Sequence, residues 1–260
     1  MSTRIELTFA EGTATLWLAP GEERRPPTLD TATLVALESA FKEVEQHSDV
    51  RLLWVRSRST RFFCAGAHID ALARITAATI PDWIAQGHRV FNRLEDLPMP
   101  TVARVEGYAL GGGLELALAC DLIFASDAAQ FGQPEGKLGF VAGWGGSWRL
   151  PRRVGVARAK ELLFTGRMVP AQEAATLGLC EFQGSAAALD DQCAAFLASL
   201  SEGNAGSAIR HKRLVADAWH RSRDEAAAGE AAASVDCLQN ADTQRRVAEF
   251  LGRRQAKGSG

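Results

Sequence analysis

The segment Val105-Glu106-Gly107-Tyr108-Ala109-Leu110-Gly111-Gly112-Gly113-Leu114-Glu115-Leu116-Ala117 constrains this chain more than any other, because a β-rich run enters three consecutive glycines and leaves as a helical pattern. Glycine removes the side chain that would hold a ligand away from the backbone. The first N–H groups of a helix point outward, unpaired, at the positive end of its dipole. An anion, or an oxygen that becomes one during a reaction, fits such a place. Three glycines alone serve equally well as a tight turn that binds nothing, so the segment takes its meaning from its surroundings. It is not a phosphate loop, since the Lys and Ser/Thr of that motif are missing and the glycine spacing does not match G-x-G-x-x-G.

Two other segments share its character. Arg61-Phe62-Phe63-Cys64-Ala65-Gly66-Ala67-His68-Ile69 also follows a β-rich run and places small residues before a helical pattern. Two such loops can converge, and a pair of amides aimed at one carbonyl oxygen stabilises an enolate or tetrahedral oxyanion, each donor contributing on the order of 3 kcal/mol. The third segment is Phe131-Gly132-Gln133-Pro134-Glu135, followed by a glycine-rich run from Gly136 to Gly146 that contains Gly143 and Trp144. A carboxylate in an apolar, glycine-rich setting is hard to keep charged, which raises its pKa and suits it to proton transfer. Read singly, Glu135 is a surface turn acid and Glu115 a first-turn glutamate favoured by the helix dipole.

Around these segments the chain alternates. Short β-rich runs at Ile5 to Phe9, Thr13 to Leu18, Val50 to Arg56, Thr101 to Val105 and Leu122 to Ala125 are separated by turns or helical spacings, such as Leu34, Leu37, Phe41, Val44 and Ile84, Phe91, Leu94. That alternation predicts an α/β fold with buried strands in stacked sheets. From about Val169 the composition turns Ala-rich and charge-studded, predicting helices over Ala171 to Leu177, Ala186 to Leu200, Ala208 to Arg221, Arg223 to Leu238 and Thr243 to Arg253.

Composition narrows the partners. Lys and Arg total 29 against 31 Asp and Glu, a formal charge of −2, so nothing general attracts nucleic acid or an anionic membrane. The basic cluster Arg149, Arg152, Arg153, Arg158, Lys160 is the one feature that favours RNA, and it lacks the interleaved aromatics of a recognisable module. No apolar run approaches the roughly 18 residues of a membrane span, and the N-terminus reads as a first strand instead of a leader. Five cysteines without a CxxC spacing fit buried thiols in a reducing compartment, with the cytoplasm as the simplest address. Five scattered histidines form no metal constellation, so neither a metal nor a redox cofactor is expected.

Taken together, the three segments resemble the enoyl-CoA hydratase/isomerase (crotonase) superfamily, whose pattern looks like F-x-A-G-A-D-I, then G-x-A-x-G-G-G-x-E-L-A-x-x-C-D, then F-x-x-P-E-x-x-x-G. The resemblance extends to Leu29 to Leu37, Leu150-Pro151-Arg152, Ala159 to Gly166, His211-Lys212-Arg213 and Ala248-Glu249-Phe250-Leu251, and so covers nearly the whole chain. It implies a spiral of ββα units over 1–195, a C-terminal helical region over 196–256 that helps form a homotrimer or a hexamer of two trimers, and a tail at 257–260.

By the same resemblance, Ala67 and Gly112 supply the amides of an oxyanion hole for an acyl-CoA thioester, with coenzyme A as part of the substrate and no separate cofactor. In members that hydrate 2-enoyl-CoA, glutamates at the positions of Glu115 and Glu135 hold one water between them; Glu115 then helps deprotonate the water and Glu135 delivers a proton to Cα. Members that only shift a double bond usually lack an acid at the first position, so hydration is preferred, with an isomerase using mainly Glu135 as the alternative and a non-catalytic CoA- or RNA-binding member after it. Ala65, Gly66, His68, Ile69, Gly111, Pro134, Gly143 and Trp144 are expected around the substrate. Arg25 and Lys212, with Arg24, are expected near its phosphates, where a guanidinium grips in two-point fashion.

The departures carry expectations too. His68 stands where the pattern has Asp and is read as a substitute helix cap or a pocket-rim residue. Ala142-Gly143-Trp144 replaces Pro-Gly-Ala and brings an indole to the acyl pocket, narrowing it or favouring a flat, cyclic or aromatic acyl group, with Phe140 and Trp148 nearby; core packing explains Trp148 equally well. Gly143 lacks the acid of relatives that dehalogenate covalently. A mobile segment around Ile69 to Trp83 is expected to contribute pocket walls.

Overall fold

Strands buried on both faces read as unbroken apolar runs, and two segments of this kind set the centre of the molecule. The computed structural model describes residues 2–22 and 24–258. Its first half runs β1 (Arg4–Ala10), β2 (Thr13–Ala19), α1 (Thr31–Gln46), β3 (Leu52–Ser57), β4 (Phe62–Cys64), α2 (Ile69–Leu72), α3 (Ile80–Asp96), β5 (Thr101–Val105), β6 (Tyr108–Leu110) and α4 (Gly112–Leu118). There follow β7 (Leu122–Ser126), β8 (Gln130–Gly132), a 3-10 turn (Pro134–Leu138), α5 (Gly146–Val154), α6 (Val156–Thr165), β9 (Val169–Pro170), α7 (Ala171–Leu177), β10 (Phe182–Gly184) and α8 (Ala186–Glu202). Every residue of β5 is buried, as are Leu52 to Val55 of β3.

The larger sheet has the order β1-β2-β3-β5-β7-β10, antiparallel between β1 and β2 and parallel elsewhere; the smaller has the order β4-β6-β8-β9. Successive strand pairs β3/β4, β5/β6 and β7/β8 therefore each give one strand to either sheet before the chain enters a helix or a 3-10 turn. This is the ββα repeat that the resemblance implies. Its consequence is positional: β4, β6 and β8 lie side by side and parallel, so the segments leaving their carboxyl ends emerge together. Crevices at such ends are where ligands bind in α/β sheets.

The core between sheets and helices is chiefly apolar, with Leu16, Leu18, Leu34, Phe41, Phe63 and Phe91 at 0 to 1% exposure. Helix α1 is started by Asp30, whose carboxylate accepts from the Thr33 N–H at 2.8 Å and from Ser2 Oγ at 2.6 Å. Burial works against its charge, but the Ser2 and Thr33 bonds outweigh burial and hold the carboxyl below its ordinary range. Asp30→Ala is expected to destabilise the fold by about 1 kcal/mol, read as a lower urea midpoint at unchanged slope.

The chain divides into two units, Met1–Ala195 and Phe196–Gly260, the boundary falling inside α8. The second unit holds α9 (Ala205–Asp217), α10 (Arg223–Gln239) and α11 (Ala241–Gly258), with a capping box of Ser222 and Glu225 at the start of α10. Asn204 and Asp242 tie its first and last helices together, since the Asn204 amide donates to Asp242 at 2.6 Å. Of the tail expected at 257–260, residues 259 and 260 lie outside the described residues. Among the described residues no helix is long and apolar enough to cross a membrane, and no group of three or more His, Cys, Asp or Glu is placed to hold a metal. All five cysteines are free, and burial pushes the Cys64 and Cys180 thiols up to about 12.

Candidate active site

The loop after β4 is laid against the stretch before α1. Ala65 N–H donates to the Pro27 carbonyl, Leu29 N–H to Gly66 and His68 N–H to Leu29, at 2.8 to 2.9 Å. These bonds use the N–H groups of Ala65 and His68 and leave that of Ala67 without an acceptor among the described residues. After β6, Gly111 turns the chain at φ +52° and Gly112 opens α4, so the Gly112 N–H has no intrahelical carbonyl to reach. The two loops touch: a Cβ at Gly66 would lie 2.7 Å from the Leu110 carbonyl oxygen and 2.9 Å from the Gly112 nitrogen. Ala67 and Gly112 thus line one cavity of about 430 Å³, and Glu115 and Glu135 line it too.

The two carboxyl groups are held differently. Glu115, one turn into α4, is 2% exposed. Its Oε1 accepts from the N–H groups of Trp144 and Gly146 at 2.7 and 2.8 Å, contributed by the loop that leads into α5. Burial raises its pKa, while the Gly146 and Trp144 N–H groups and the Arg149 charge oppose that rise. Far more than a helix dipole therefore holds this glutamate. Glu135 follows β8 on the 3-10 turn; burial, with a contribution from the Glu115 charge, pushes it up to about 7. Gly111 makes room for it, since a Cβ there would lie 2.6 Å from Glu135 Oε1. Gln133, buried beside it, donates its amide to the two Glu135 oxygens at 2.9 and 3.1 Å in the orientation that satisfies both groups. Burial pushes both carboxyls up; at Glu115 two backbone N–H groups and the Arg149 charge oppose the rise, and at Glu135 the Glu115 charge adds to it.

Trp144 forms the inner wall. Its six-membered ring lies over Gly112 and its pyrrole edge against Gly87 of α3, where a Cβ would come within 2.0 Å of Nε1. Trp83 and Phe91 pack on it with ring centroids 4.6 and 5.6 Å away. Leu72, Ile80, Pro81 and Trp83, from the segment expected to supply pocket walls, do line the cavity, as do Gly143 and Phe140. Trp148 does not; it lies under the guanidinium of Arg149, 3.9 Å from its ring centre.

Several expected residues sit elsewhere. His68 occupies the cap position of α2, but its imidazole makes no capping bond, which corrects the reading of a cap substitute. The reason is that its own carbonyl already accepts from Ala71 and Leu72, while the side chain turns toward Asp70 at 4.0 Å. Nor does His68 line the cavity. Ala65, Gly66, Gly111 and Pro134 shape the loops from behind, and Ile69 is 66% exposed. Arg25 pairs with Glu22 at 3.1 Å on the surface, Arg24 is exposed, and Lys212 belongs to α9 of the second unit. Three of the five residues of the basic cluster are engaged within the fold: Arg149 is 3% exposed and bound to Glu95, Arg153 pairs with Glu181, and Arg158 with Glu161.

Three residues to which the sequence reading assigns no part in the cavity chemistry stand at the site. His88 is on the cavity wall, and burial and the nearby Arg149 hold its imidazole below the ordinary pKa. Gln133 stands beside Glu135 and Arg149 behind Glu115. The helical period of α3 marks His88 only as a flank of a packed face, and Arg149 finds its side-chain partners Asn92 and Glu95 more than 50 residues away.

A family model described as "Enoyl-CoA hydratase/isomerase" matches residues 23–259. The mitochondrial methylglutaconyl-CoA hydratase of Rattus norvegicus is 40% identical over 152 residues, 58% of this chain and 48% of that protein. Its Mus musculus counterpart is 40% identical over 146 residues, 56% and 46%. The chain thus spans about half the length of the curated relatives it matches. Among solved structures, an enoyl-CoA hydratase from Bacillus anthracis superposes with a TM-score of 0.89 at 27% identity, covering 96% of both chains. DspI of Pseudomonas aeruginosa gives 0.89 at 26% identity, covering 96% of this chain and 94% of that one.

Proposed function

The chain belongs to the enoyl-CoA hydratase/isomerase family, and from that premise we propose that it adds water reversibly across the double bond of a 2-enoyl-CoA to give a 3-hydroxyacyl-CoA. The observation that carries this reading is the meeting of four groups in one cavity: the amides of Ala67 and Gly112 and the carboxyls of Glu115 and Glu135. The thioester oxygen takes the two N–H groups. Ionised Glu115 removes a proton from water as its oxygen bonds to Cβ, the electron pair of the double bond moves toward the carbonyl as an enolate, and protonated Glu135 gives its proton to Cα. Dehydration retraces the steps. The amides act where negative charge develops, which is where a fixed donor accelerates most.

The environments fit these roles. Burial raises both carboxyls, but at Glu115 it is opposed by two N–H donors on Oε1 and a guanidinium behind them, which favour charge, whereas Glu135 is buried beside another carboxylate, which favours its proton. Ile80, Trp83, Ile84, Leu138 and Phe140 give the rest of the cavity an apolar wall, suited to an apolar acyl group, and Trp144 limits its depth. Coenzyme A enters as part of the substrate, so no resident cofactor belongs to this reading; Arg25 and Lys212 remain its proposed phosphate partners. The reading also includes a homotrimer or hexamer, supported by the exposed Val215, Trp219, Leu238 and Phe250 of the second unit, and a cytoplasmic address, supported by the free cysteines, although the two curated relatives are mitochondrial by name.

The test is an assay with paired substrates. A 2-enoyl-CoA is expected to lose its conjugated-thioester absorbance and give 3-hydroxyacyl-CoA by mass. A 3-enoyl-CoA that becomes 2-enoyl-CoA without a hydrated product would instead favour the isomerase, and inertness toward both would defeat the enzyme.

A further inference from the structure

The loop that holds Glu115 is itself held from behind. Arg149 is buried, and its Nη1 donates to the Trp144 carbonyl at 2.9 Å. Its Nε and Nη2 reach Glu95 Oε2 of α3 at 3.0 and 2.7 Å, and Nη2 also reaches Asn92 Oδ1 at 2.7 Å. A Cβ at Gly145 would stand 2.2 Å from Nη1, so the glycine at φ +110° is what lets the guanidinium in. The arginine therefore bridges α3 to Trp144, whose N–H binds Glu115 together with that of Gly146 two residues on.

We propose that Arg149 is a positioning residue that sets the division of labour between the two carboxyls, through the loop backbone it grips and through its charge. The inference rests on the hydratase reading and adds what keeps the base a base. A planar fork fixes a carbonyl and a carboxylate at once, which a point charge on a flexible stem does not do. Displacement of the 144–146 backbone moves both donors off Glu115 Oε1 together, and a misplacement of about 1 Å costs on the order of a hundredfold in rate. The titratable groups around Glu115 are few among the described residues. Arg149 faces it from α5 and Glu135 from the 3-10 turn; Glu95 of α3 and Arg152 of α5 act on Arg149 in turn, and Arg149 acts on His88 of α3. Loss of the Arg149 charge makes Glu115 easier to protonate, so the acid limb of the rate profile moves to higher pH.

The experiment compares Arg149→Met, Arg149→Lys and Glu95→Gln. Each variant is assayed for kcat and KM on a 2-enoyl-CoA across pH, for Tm, and for the titration of Glu115 by carboxyl 13C NMR in a Glu135→Gln background. Arg149→Met is expected to lower kcat about a hundredfold with KM nearly unchanged, and to raise both the acid limb and the Glu115 titration by about one pH unit. Arg149→Lys keeps the charge and loses the fork, so the acid limb stays and kcat recovers about tenfold over the Met variant. Glu95→Gln lowers Tm while leaving limb and titration in place. If the Met and Gln variants lose Tm alike and the limb and titration stay put in both, Arg149 is only structural and the proposal falls. Should the Met variant not fold, Arg149→Lys decides: a tenfold lower kcat than the parent at unchanged KM supports the proposal, and parental kcat overturns it. Failure of the parent protein to hydrate any 2-enoyl-CoA would sink the hydratase reading, while the NMR titration would still report on Arg149.

Discussion

Replacing Glu135 with glutamine lowers turnover of a 2-enoyl-CoA by about a thousandfold and, at pH 8, makes the folded protein more stable. Both effects come from one carboxyl. The amide keeps the shape and has no acidic proton to deliver to Cα, so kcat falls while KM stays close to its parent value. The stability change follows from the raised pKa, about 7 in the fold against an ordinary 4.5. A carboxyl of this kind is more easily protonated folded than unfolded, so its contribution is fully present below about pH 4.5 and is lost as pH rises through about 7. The full difference is on the order of 3 kcal/mol, which the substitution removes at pH 8 and does not affect at pH 4. Thermal unfolding of parent and variant at the two pH values reads it directly. Glu115→Gln is expected to lose turnover to a similar degree, yet its amide oxygen still accepts from Trp144 and Gly146, so the loop stays in place. Parental turnover in both variants would refute the roles assigned to the pair.

The sequence disclosed those two glutamates because local chemistry encodes them: glycines before Glu115, and apolar and glycine residues around Glu135. For the same reason β5 is legible to the residue, since a strand buried on both faces needs every position apolar or paired. The bounds of α7 are likewise those expected, while α9 starts three residues earlier and ends four earlier than expected, after the cap provided by Asn204. What escapes is long-range or very short. Strands β4, β6, β8 and β10 have three residues each, too few to show a period of two, yet three of them carry the loops of the site. His68 stands at a cap position by sequence spacing, but only the backbone decides that its carbonyl and not its ring receives the helix N–H groups. Arg149 reads as one charge in a basic cluster until the packing of α3 brings Asn92 and Glu95 against it. Gly87 reads as a weak point in a helix, and its purpose is visible only once the Trp144 ring is laid on it.

Gly66→Ala is expected to remove most activity without touching a catalytic group. Gly66 has φ +83°, where a side chain costs about 1 kcal/mol. That cost alone would be tolerable, and Gly155 provides the comparison, with φ +77° and nothing within 4 Å of an added methyl. With ψ at 158° Gly155 occupies backbone nearly reserved for glycine, so Gly155→Ala should lose about 1 to 3 kcal/mol of stability from strain alone and keep parental kcat. At Gly66 the same methyl meets the Leu110 carbonyl oxygen at 2.7 Å and the Gly112 nitrogen at 2.9 Å, both backbone atoms that no rotamer change can move aside. Only separation of the β4 and β6 loops relieves the clash, and that separation draws the Ala67 and Gly112 amides off a shared oxygen. Loss of one such donor costs about a hundredfold to a thousandfold in kcat, and the overlap adds roughly 1 to 3 kcal/mol of destabilisation beyond the Gly155 control. Binding of a non-reactive acyl-CoA should weaken far less than kcat falls, because the amides act chiefly on the charge that develops during the reaction. A Gly66→Ala protein that folds and turns over at the parental rate would show that the two loops need not meet for the chemistry to proceed.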